Sequence, residues 1–400
     1  MNGHSALDQP TPKEDEPAEA QLEDLEQEQS DKGEGEVPTK PWDPKLIRIT
    51  TKNFTIREIY SQIDEGELDL APDFQRSFVW SKRQQTRLIE SILLGIPLPA
   101  FYFNQDSSGA HQVIDGVQRL TTVSKFMSGR LSLNEQDLEY LTSLAGQDFN
   151  TLDSVVRRRF SGTQIVAHVI EPQTPDEVKY DIFNRVNTGG SPLTAQEIRH
   201  CMSKSRSREF LKALVESPSF DQATGGVFWS RDATGASVRD NHRMSDREMA
   251  LRFCAFKNLP IERYTQSSSL DAFLLEYTRL MDGLASALEP VPDLESLAAS
   301  FDRAMVNANQ ILGPAAFRRW ALGAPRRGPI NRAVFESQSI ALSEYSLEAL
   351  APHKEAIVDA FRRLFDNPSY DSSVRSGTGD VRKLERRLVE PLRVLREIVG

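Results

Sequence analysis

The stretch HQVIDGVQRLTTVSKF, residues 111–126, decides how we interpret the fold of this chain. An apolar pair, Val113 and Ile114, runs directly into Asp115 and Gly116, and residues with helical character follow at once. A strand that turns straight into a helix can form an anion site, because the first amides of a helix lack internal acceptors. The stretch therefore predicts a buried strand, a sharp corner and a helix, with polar groups gathered at the corner.

Backbone groups at this corner are suited to a bound phosphate. The amides of Leu120, Thr121 and Thr122 are expected to be the open donors at the start of the helix. Gly116 lets the backbone turn sharply and approach a ligand closely, since it carries no side chain. The sequence thus predicts an anion-binding turn.

Three side chains at the corner allow two interpretations. In the first, Arg119 offers a planar fork to a phosphate, and Gln118 bridges a sugar or phosphate oxygen. Asp115 then orients Arg119, holds a divalent cation or positions water. In the second, Asp115 is a turn residue that caps the helix, and Arg119 forms a salt bridge with it. The spacing alone leaves both open.

A loop upstream contains a second candidate contact. Gln75 and Arg76 lie in a segment with aromatic residues, ahead of Trp80. The guanidinium of Arg76 can stack on an aromatic ring at the surface. It can equally contact a phosphate or a base, and the sequence does not decide between the two.

The third candidate is a Gly-rich turn. A helix with Thr174 as its N-cap is expected to end at the segment NTGG, formed by Asn187, Thr188, Gly189 and Gly190. Asn and Gly accept positive φ angles, so this segment ends a helix well. Because two glycines also leave the backbone open to a phosphate, a structural turn and a binding loop are both possible.

Taken together, the three segments resemble the DGQQR-motif family, the N-terminal domain of GmrSD-type modification-dependent restriction endonucleases, which is grouped with the ParB/sulfiredoxin-like fold. The resemblance is carried by PDFQRSFVWSKRQQTRLIESILLGIPLP, VIDGVQRLTTV and IFNRVNTGGSPLTAQEIR, in that order. The later stretches RMSDREMALRFCAF and NRAVFESQSIALSE are similar to its helical extension, so the likeness covers roughly residues 45–350.

The resemblance implies nucleotide binding and hydrolysis in a bacterial system that restricts phage or modified DNA. It implies Mg²⁺ and GTP or ATP as cofactors, and a separate HNH-type nuclease that cuts. The chain departs from the motif at Val117, where the family has its first Gln, which leaves hydrolysis less supported than binding. The implied catalytic residues are Asp115, Gln118 and Arg119, with Asp115 also as the metal ligand. The implied nucleotide contacts are Gln75, Arg76, Gly116, Thr121, Thr122, Asn187, Thr188, Gly189 and Gly190.

The charge of the chain is unevenly distributed. The net charge is −10, but residues 1–40 alone hold twelve acidic residues and three lysines. The rest of the chain is close to neutral, so the acidic total does not argue against DNA as a partner. Large apolar groups are nearly missing from residues 1–40, which cannot offset the entropy of ordering, and we predict a disordered tail there.

Length and pattern predict an α+β protein. The chain has 400 residues, of which 39% are hydrophobic, enough for about two cores. Strands at AFYFN and QVI form a hairpin, TQIVAHVI is a further strand, and the chain is mainly helical beyond Pro175. We therefore predict a disordered acidic tail at 1–41, a ParB/sulfiredoxin-like mixed domain at 42–200 and an all-α domain at 201–400.

Several classes of protein receive no support. The chain has two cysteines, no basic-then-apolar leader and no long apolar run, which predicts a cytoplasmic protein without a membrane partner. Zinc, zincin and Walker motifs do not occur, and the six histidines are scattered, with His242 the most suggestive. The nuclease is therefore expected on a partner chain. Arg157–Arg159 and Arg326–Arg327 could contact phosphates or simply be solvated. The oligomeric state is unknown.

Three functions follow, in order of preference. The first is a nucleotide-binding and NTP-hydrolysing sensor or regulator of a DNA-restriction or anti-phage system. The second is a ParB-like nuclease that cuts DNA at the same corner. The third is a non-catalytic scaffold for a partner nuclease, with Val117 marking a site that no longer hydrolyses.

Overall fold

A computed structural model describes residues 43–70, 80–106, 108–186, 193–231, 235–240, 242–284 and 290–400. The predicted acidic tail, the contacts Gln75 and Arg76, and the NTGG turn at 187–190 lie outside the described residues. Their roles stay predictions.

A mixed five-stranded sheet forms the centre of the N-terminal part, in the order β1-β5-β3-β4-β2. β3 and β4 pair antiparallel as the predicted hairpin, while β3 runs parallel to β5 and β2 runs parallel to β4. β1 and β5 pair antiparallel, and a separate two-stranded ribbon joins β6 to β7. The strands are β1 Ile49–Thr55, β2 Leu68–Asp69, β3 Phe101–Gln105, β4 His111–Asp115, β5 Gln164–Ile170, β6 Trp229–Arg231 and β7 Ser237–Arg239.

Helices alternate with the strands along the chain and make up most of it beyond β5, which confirms the α+β class. They are α1 Ile56–Asp64, α2 Lys82–Leu94, α3 Val117–Met127, α4 Ser154–Gly162, α5 Asp176–Val186, α6 Ala195–Met202, α7 Ser205–Val215, α8 Pro218–Thr224, α9 Ser245–Asn258, α10 Ile261–Thr265, α11 Leu270–Met281, α12 Leu294–Asn307, α13 Arg332–Ser343, α14 Leu347–Leu350, α15 Lys354–Arg363, α16 Pro368–Arg375 and α17 Val381–Val399. No helix in these described ranges is long and apolar enough to cross a bilayer.

Local capping signals mark both ends of α2, the helix that precedes the hairpin of β3 and β4. The sequence SKRQ, residues 81–84, has the spacing of a capping box, and Ser81 and Gln84 form one at the start of α2, while Gly95 ends that helix in the left-handed region. Helix α5 begins at Asp176, and the hydroxyl of Thr174, two residues before it, exchanges hydrogen bonds with the backbone of Arg48. The chain leading into β1 is thereby tied to the β5–α5 connection.

The described residues cluster into two compact units. The sheet unit holds the residues up to 217 together with 228–298, and the helical unit holds 218–227 together with 299–400. The division into three domains drawn from the sequence stays a prediction. In the sheet unit, the central strands are buried by apolar side chains, including Phe101, Phe103 and Val113 at 0% exposure. This packed centre fixes the end of β4, where the candidate site lies.

Candidate functional site

The corner between β4 and α3 is sharper than the sequence suggested. β4 ends at Asp115, Gly116 takes φ +98°, and α3 begins at the next residue, Val117. The amide of Leu120 already donates to the carbonyl of Gly116 at 2.9 Å, so the expectation that it is an open donor is wrong. The amides that precede the first intrahelical bond belong to Val117, Gln118 and Arg119.

The amides of Thr121 and Thr122 lie deeper in α3 than predicted, since the helix starts early. The hydroxyl of Thr122 is buried and donates to the carbonyl of Gln118 at 2.8 Å, a bond within the helix. Thr121 is half-buried. Their contact with a nucleotide stays a prediction.

Gly116 is required by space as well as by conformation. A Cβ atom at this position would lie 2.2 Å from Cδ1 of Phe101, whose ring is fully buried, and 3.1 Å from Nη2 of Arg119. Non-glycine residues also rarely adopt φ +98°. The absence of a side chain therefore lets the turn lie directly against β3, and no side chain within the described residues caps α3.

Arg119 is bound to groups of the protein itself. Nη2 donates to Oδ2 of Asp115 at 2.8 Å and to the carbonyl of Ala100 at 3.3 Å. Nη1 donates to the carbonyl of Pro99. The guanidinium carbon lies 4.2 Å from the centre of the Phe101 ring, and only 12% of the side chain is exposed. The salt bridge between Asp115 and Arg119, expected in the second interpretation of the spacing, is therefore present.

These contacts place a positive charge behind the corner. Burial lowers the pKa of Arg119, and the neighbouring carboxylate of Asp115 acts in the opposite direction. A guanidinium keeps its proton at neutral pH in any case. Asp115 is more accessible than its partner, with 28% of its side chain exposed. The carboxylate of this ion pair is thus more accessible to solvent than the guanidinium.

Gln118 has an acceptor without a partner. Its Oε1 atom is buried, and within the described residues no donor reaches it. A buried acceptor that makes no hydrogen bond is costly, so a water molecule or a ligand hydroxyl at this point would be favoured.

The fit of the corner to Mg²⁺ rests on one carboxylate. In the described part of the chain, no group of three or more His, Cys, Asp and Glu is arranged to hold a metal ion. Mg²⁺ is often held by one or two carboxylates together with substrate phosphates. Asp115 can serve in that way, but its Oδ2 atom already accepts from Arg119.

Two surface cavities lie at other places in the sheet unit. One of about 440 Å³ is lined by Trp80, Arg83, Arg87 and their neighbours on α2. The other, of about 530 Å³, is lined by residues of α5, α10 and α11, including the ion pair of Arg279 and Asp176 at 3.0 Å. Neither includes Asp115, Gln118 or Arg119.

Sequence reasoning missed the partners that shape the corner. Phe101 and the carbonyls of Pro99 and Ala100 lie eighteen to twenty residues before Arg119 and show no motif. The sequence predicted a strand at AFYFN but did not indicate where the side chain of Phe101 lies. Their contact with Arg119 follows from the pairing of β3 with β4, which brings the start of one strand beside the end of the other.

The sheet and its strand–corner–helix unit define an α+β domain with a candidate anion-binding turn. Residues 56–203 match the family model of the GmrSD restriction endonuclease, N-terminal domain, which confirms the resemblance for this part of the chain. This part of the chain is thereby similar to a domain of restriction endonucleases. No curated protein and no solved structure matches the chain.

Proposed function

We propose that this protein is a nucleotide-binding sensor subunit of a bacterial DNA-restriction or anti-phage system, acting in the cytoplasm with a separate nuclease. The observation that carries the proposal is the corner itself. α3 begins at an uncapped Gly116, and the buried Oε1 atom of Gln118 beside it has no donor among the described residues. The match of residues 56–203 to the N-terminal domain of a restriction endonuclease also supports the proposal.

In this proposal the phosphates lie against the first turn of α3. The amides of Val117 and Gln118 donate to phosphate oxygens, and the helix dipole adds to their effect. Arg119 acts from behind, since its buried charge offsets that of the phosphates without leaving Asp115, Pro99 and Ala100. Phosphate recognition thus depends on backbone donors placed by Gly116.

Hydrolysis, where it occurs, depends on positioning and charge. The Oε1 atom of Gln118 accepts a hydrogen bond from the attacking water or from a ribose hydroxyl. Asp115 would be the residue that holds Mg²⁺, which would supply further charge neutralisation when bound. Val117 occupies the place of the family's first Gln, so we expect slow turnover and intact binding.

Binding and turnover are tested separately on the full chain. Titration with GTP and with ATP in the presence of Mg²⁺ measures affinity, and release of inorganic phosphate measures turnover. We expect saturable binding of at least one nucleotide. Gln118→Ala should lower phosphate release more than affinity, because its amide oxygen positions water. No binding of either nucleotide at millimolar concentration would contradict the proposal.

One observation favours a second function, the non-catalytic scaffold. Arg119 is already satisfied by a carboxylate, two carbonyls and an aromatic ring, as in a purely structural turn. In that case the corner stabilises the domain, and other surfaces bind the nuclease. The scaffold predicts that GTP and ATP leave the thermal unfolding midpoint unchanged, whereas a ligand of the folded state raises it.

A further inference from the structure

The helical unit contains a long segment that has basic but no acidic residues. Between Arg303 and Glu336 the chain has five arginines and no Asp or Glu. Over residues 299–400 as a whole, sixteen Lys and Arg stand against twelve Asp and Glu, so the unit is basic while the complete chain is acidic. We name residues 318–330 of this segment the Arg-rich loop.

The base of the Arg-rich loop is closed by its own backbone. Arg318 and Ile330 form an isolated antiparallel bridge, and the amide of Gly328 donates to the carbonyl of Arg319 at 2.9 Å. The side chain of Arg318 is buried and reaches the carbonyl of Gly328 at 3.3 Å. Arg319 is paired with Asp371 at 2.7 Å. These two arginines therefore hold the loop in shape.

A residue from α15 braces the middle of the loop. Arg362 donates from Nε to the carbonyl of Trp320 at 3.2 Å and from Nη2 to the carbonyl of Ala321 at 3.1 Å. Its guanidinium carbon lies 4.0 Å from the centre of the Trp320 ring, and the indole N–H donates to the carbonyl of Ala324. A loop fixed by so many contacts loses little entropy when it binds a partner.

The tip of the loop points its charges to solvent. Arg326 and Arg327 are both exposed, and they lie between Pro325 and Gly328. Arg327 donates once, to the carbonyl of Pro314 at 3.2 Å, which orients its guanidinium. No carboxylate within the described residues forms a salt bridge with either residue. Adjacent guanidinium groups without a counter-charge repel one another, so an external polyanion would relieve this repulsion.

We propose that the tip of the Arg-rich loop binds the phosphate backbone of duplex DNA. Guanidinium groups match phosphate geometry, and contacts of Arg and Lys with phosphates supply most of the sequence-independent affinity of proteins for DNA. The braced base and the narrow tip with small residues on both sides fit the approach of two arginines to a strand of phosphates. This surface belongs to the helical unit and does not depend on nucleotide binding at Gly116.

The test is the salt dependence of duplex binding by the full chain. Fluorescence anisotropy with a labelled 20-base-pair duplex, at several NaCl concentrations between about 50 and 300 mM, gives the slope of log K against log salt. Each lost phosphate contact should reduce the slope by about 0.9, so the double variant Arg326→Ala/Arg327→Ala should reduce it by about two. Affinity at physiological salt should fall at least about tenfold.

Two controls separate charge at this site from charge in general. Arg326→Lys/Arg327→Lys keeps both charges and should retain the slope. Arg382→Ala/Arg396→Ala removes two exposed arginines from α17 and should leave the slope within error of the original. An unchanged slope in the double alanine variant would overturn the proposal. So would loop-dependent binding of a polyglutamate peptide without binding of the duplex, which would assign an acidic protein instead.

Discussion

Nη2 of Arg119 lies 2.8 Å from Oδ2 of Asp115, so the last residue of β4 is joined by an ion pair to the first turn of α3. The pair crosses Gly116, the residue where the chain changes direction. Each side chain holds the other in place, because the guanidinium is also bound to the carbonyls of Pro99 and Ala100. The geometry of the corner therefore depends on both residues together.

Removing the negative partner tests the structural part of this pair. Asp115→Asn leaves Arg119 with two carbonyl acceptors and no counter-charge in a largely buried position. We expect a loss of about 1–2 kcal/mol in the free energy of unfolding, between the values for exposed and for buried pairs. Urea unfolding measures it, with the exposed Asp64→Asn as the control. Equal midpoints for the two variants would show that the pair does not stabilise the fold.

A methyl group at Gly116 has two separate costs. Gly116→Ala places Cβ 2.2 Å from the buried ring of Phe101 and forces φ +98° on a residue with a side chain. We expect destabilisation of about 2–4 kcal/mol, from backbone strain together with overpacking. Gly146→Ala is the matched control, because Gly146 has φ +75° and nothing within 4 Å of its Cβ position. That control should lose only about 1 kcal/mol, and a similar loss in both variants would contradict the close approach.

Glu90, on α2, binds the backbone of residues 139–141, which lie between α3 and α4 in the chain. Its buried carboxylate accepts from the amides of Glu139, Tyr140 and Leu141 at 2.7–3.1 Å. Glu90→Gln removes the negative charge and one of the two acceptor oxygens. We therefore expect the free energy of unfolding to fall by about 2 kcal/mol.

Hydrogen exchange locates that effect. The amides of residues 139–141 should exchange faster in Glu90→Gln, while those of β3 and β4 change less. Glu135→Gln, at an exposed position, is the control and should leave all of these rates unchanged. Uniform acceleration across the sheet unit would point to global destabilisation in place of a local anchor.

His200 links the stability of the sheet unit to pH. Burial, together with the charges of Arg208 and Arg247, lowers the pKa of His200 to about 2. The unfolded chain takes up a proton there below pH 6.5 and the folded chain does not, so stability is lost as pH falls from 6.5. Proton uptake by His200 in the unfolded chain therefore lowers the free energy of unfolding by about 2 kcal/mol at pH 5 relative to pH 8.

The measurement is the pH dependence of urea unfolding for the original chain and for His200→Gln. The free energy of unfolding of the original chain minus that of His200→Gln should decrease by about 2 kcal/mol from pH 8 to pH 5. Asp246, whose pKa burial raises to about 6, has the opposite pH dependence, but it is present in both proteins and cancels. A difference that does not change with pH would mean that the pKa of His200 is the same in the folded and the unfolded chain.

Local signals in the sequence predicted local structure well. The capping box of Ser81 and Gln84 and the left-handed Gly95 marked both ends of α2, because each depends on residues within one turn. The hairpin of β3 and β4 and the strand β5 also followed from short patterns. The position of the candidate site, at the end of β4, was predicted for the same reason.

Non-local features could not be read from the sequence. The parallel pairing of β3 with β5 joins segments more than sixty residues apart, and no motif signals it. The start of α3 was placed too late because Gly116 itself acts as the left-handed cap, which moves the open amides to Val117 and the two residues after it. The contact of Arg119 with Phe101 depends on both of these, since it needs the strand pairing and the early helix start.

Isothermal titration of the full chain with GTP and with ATP, in Mg²⁺, tests most directly whether the corner binds phosphates. Arg119→Ala removes the positive charge and leaves Asp115 facing the ligand, while Arg158→Ala removes an exposed arginine of α4 and serves as the control. We predict saturable binding that falls at least about tenfold in Arg119→Ala, about 1.4 kcal/mol, and is kept in the control. Binding of equal strength in all three proteins would show that the nucleotide site lies elsewhere.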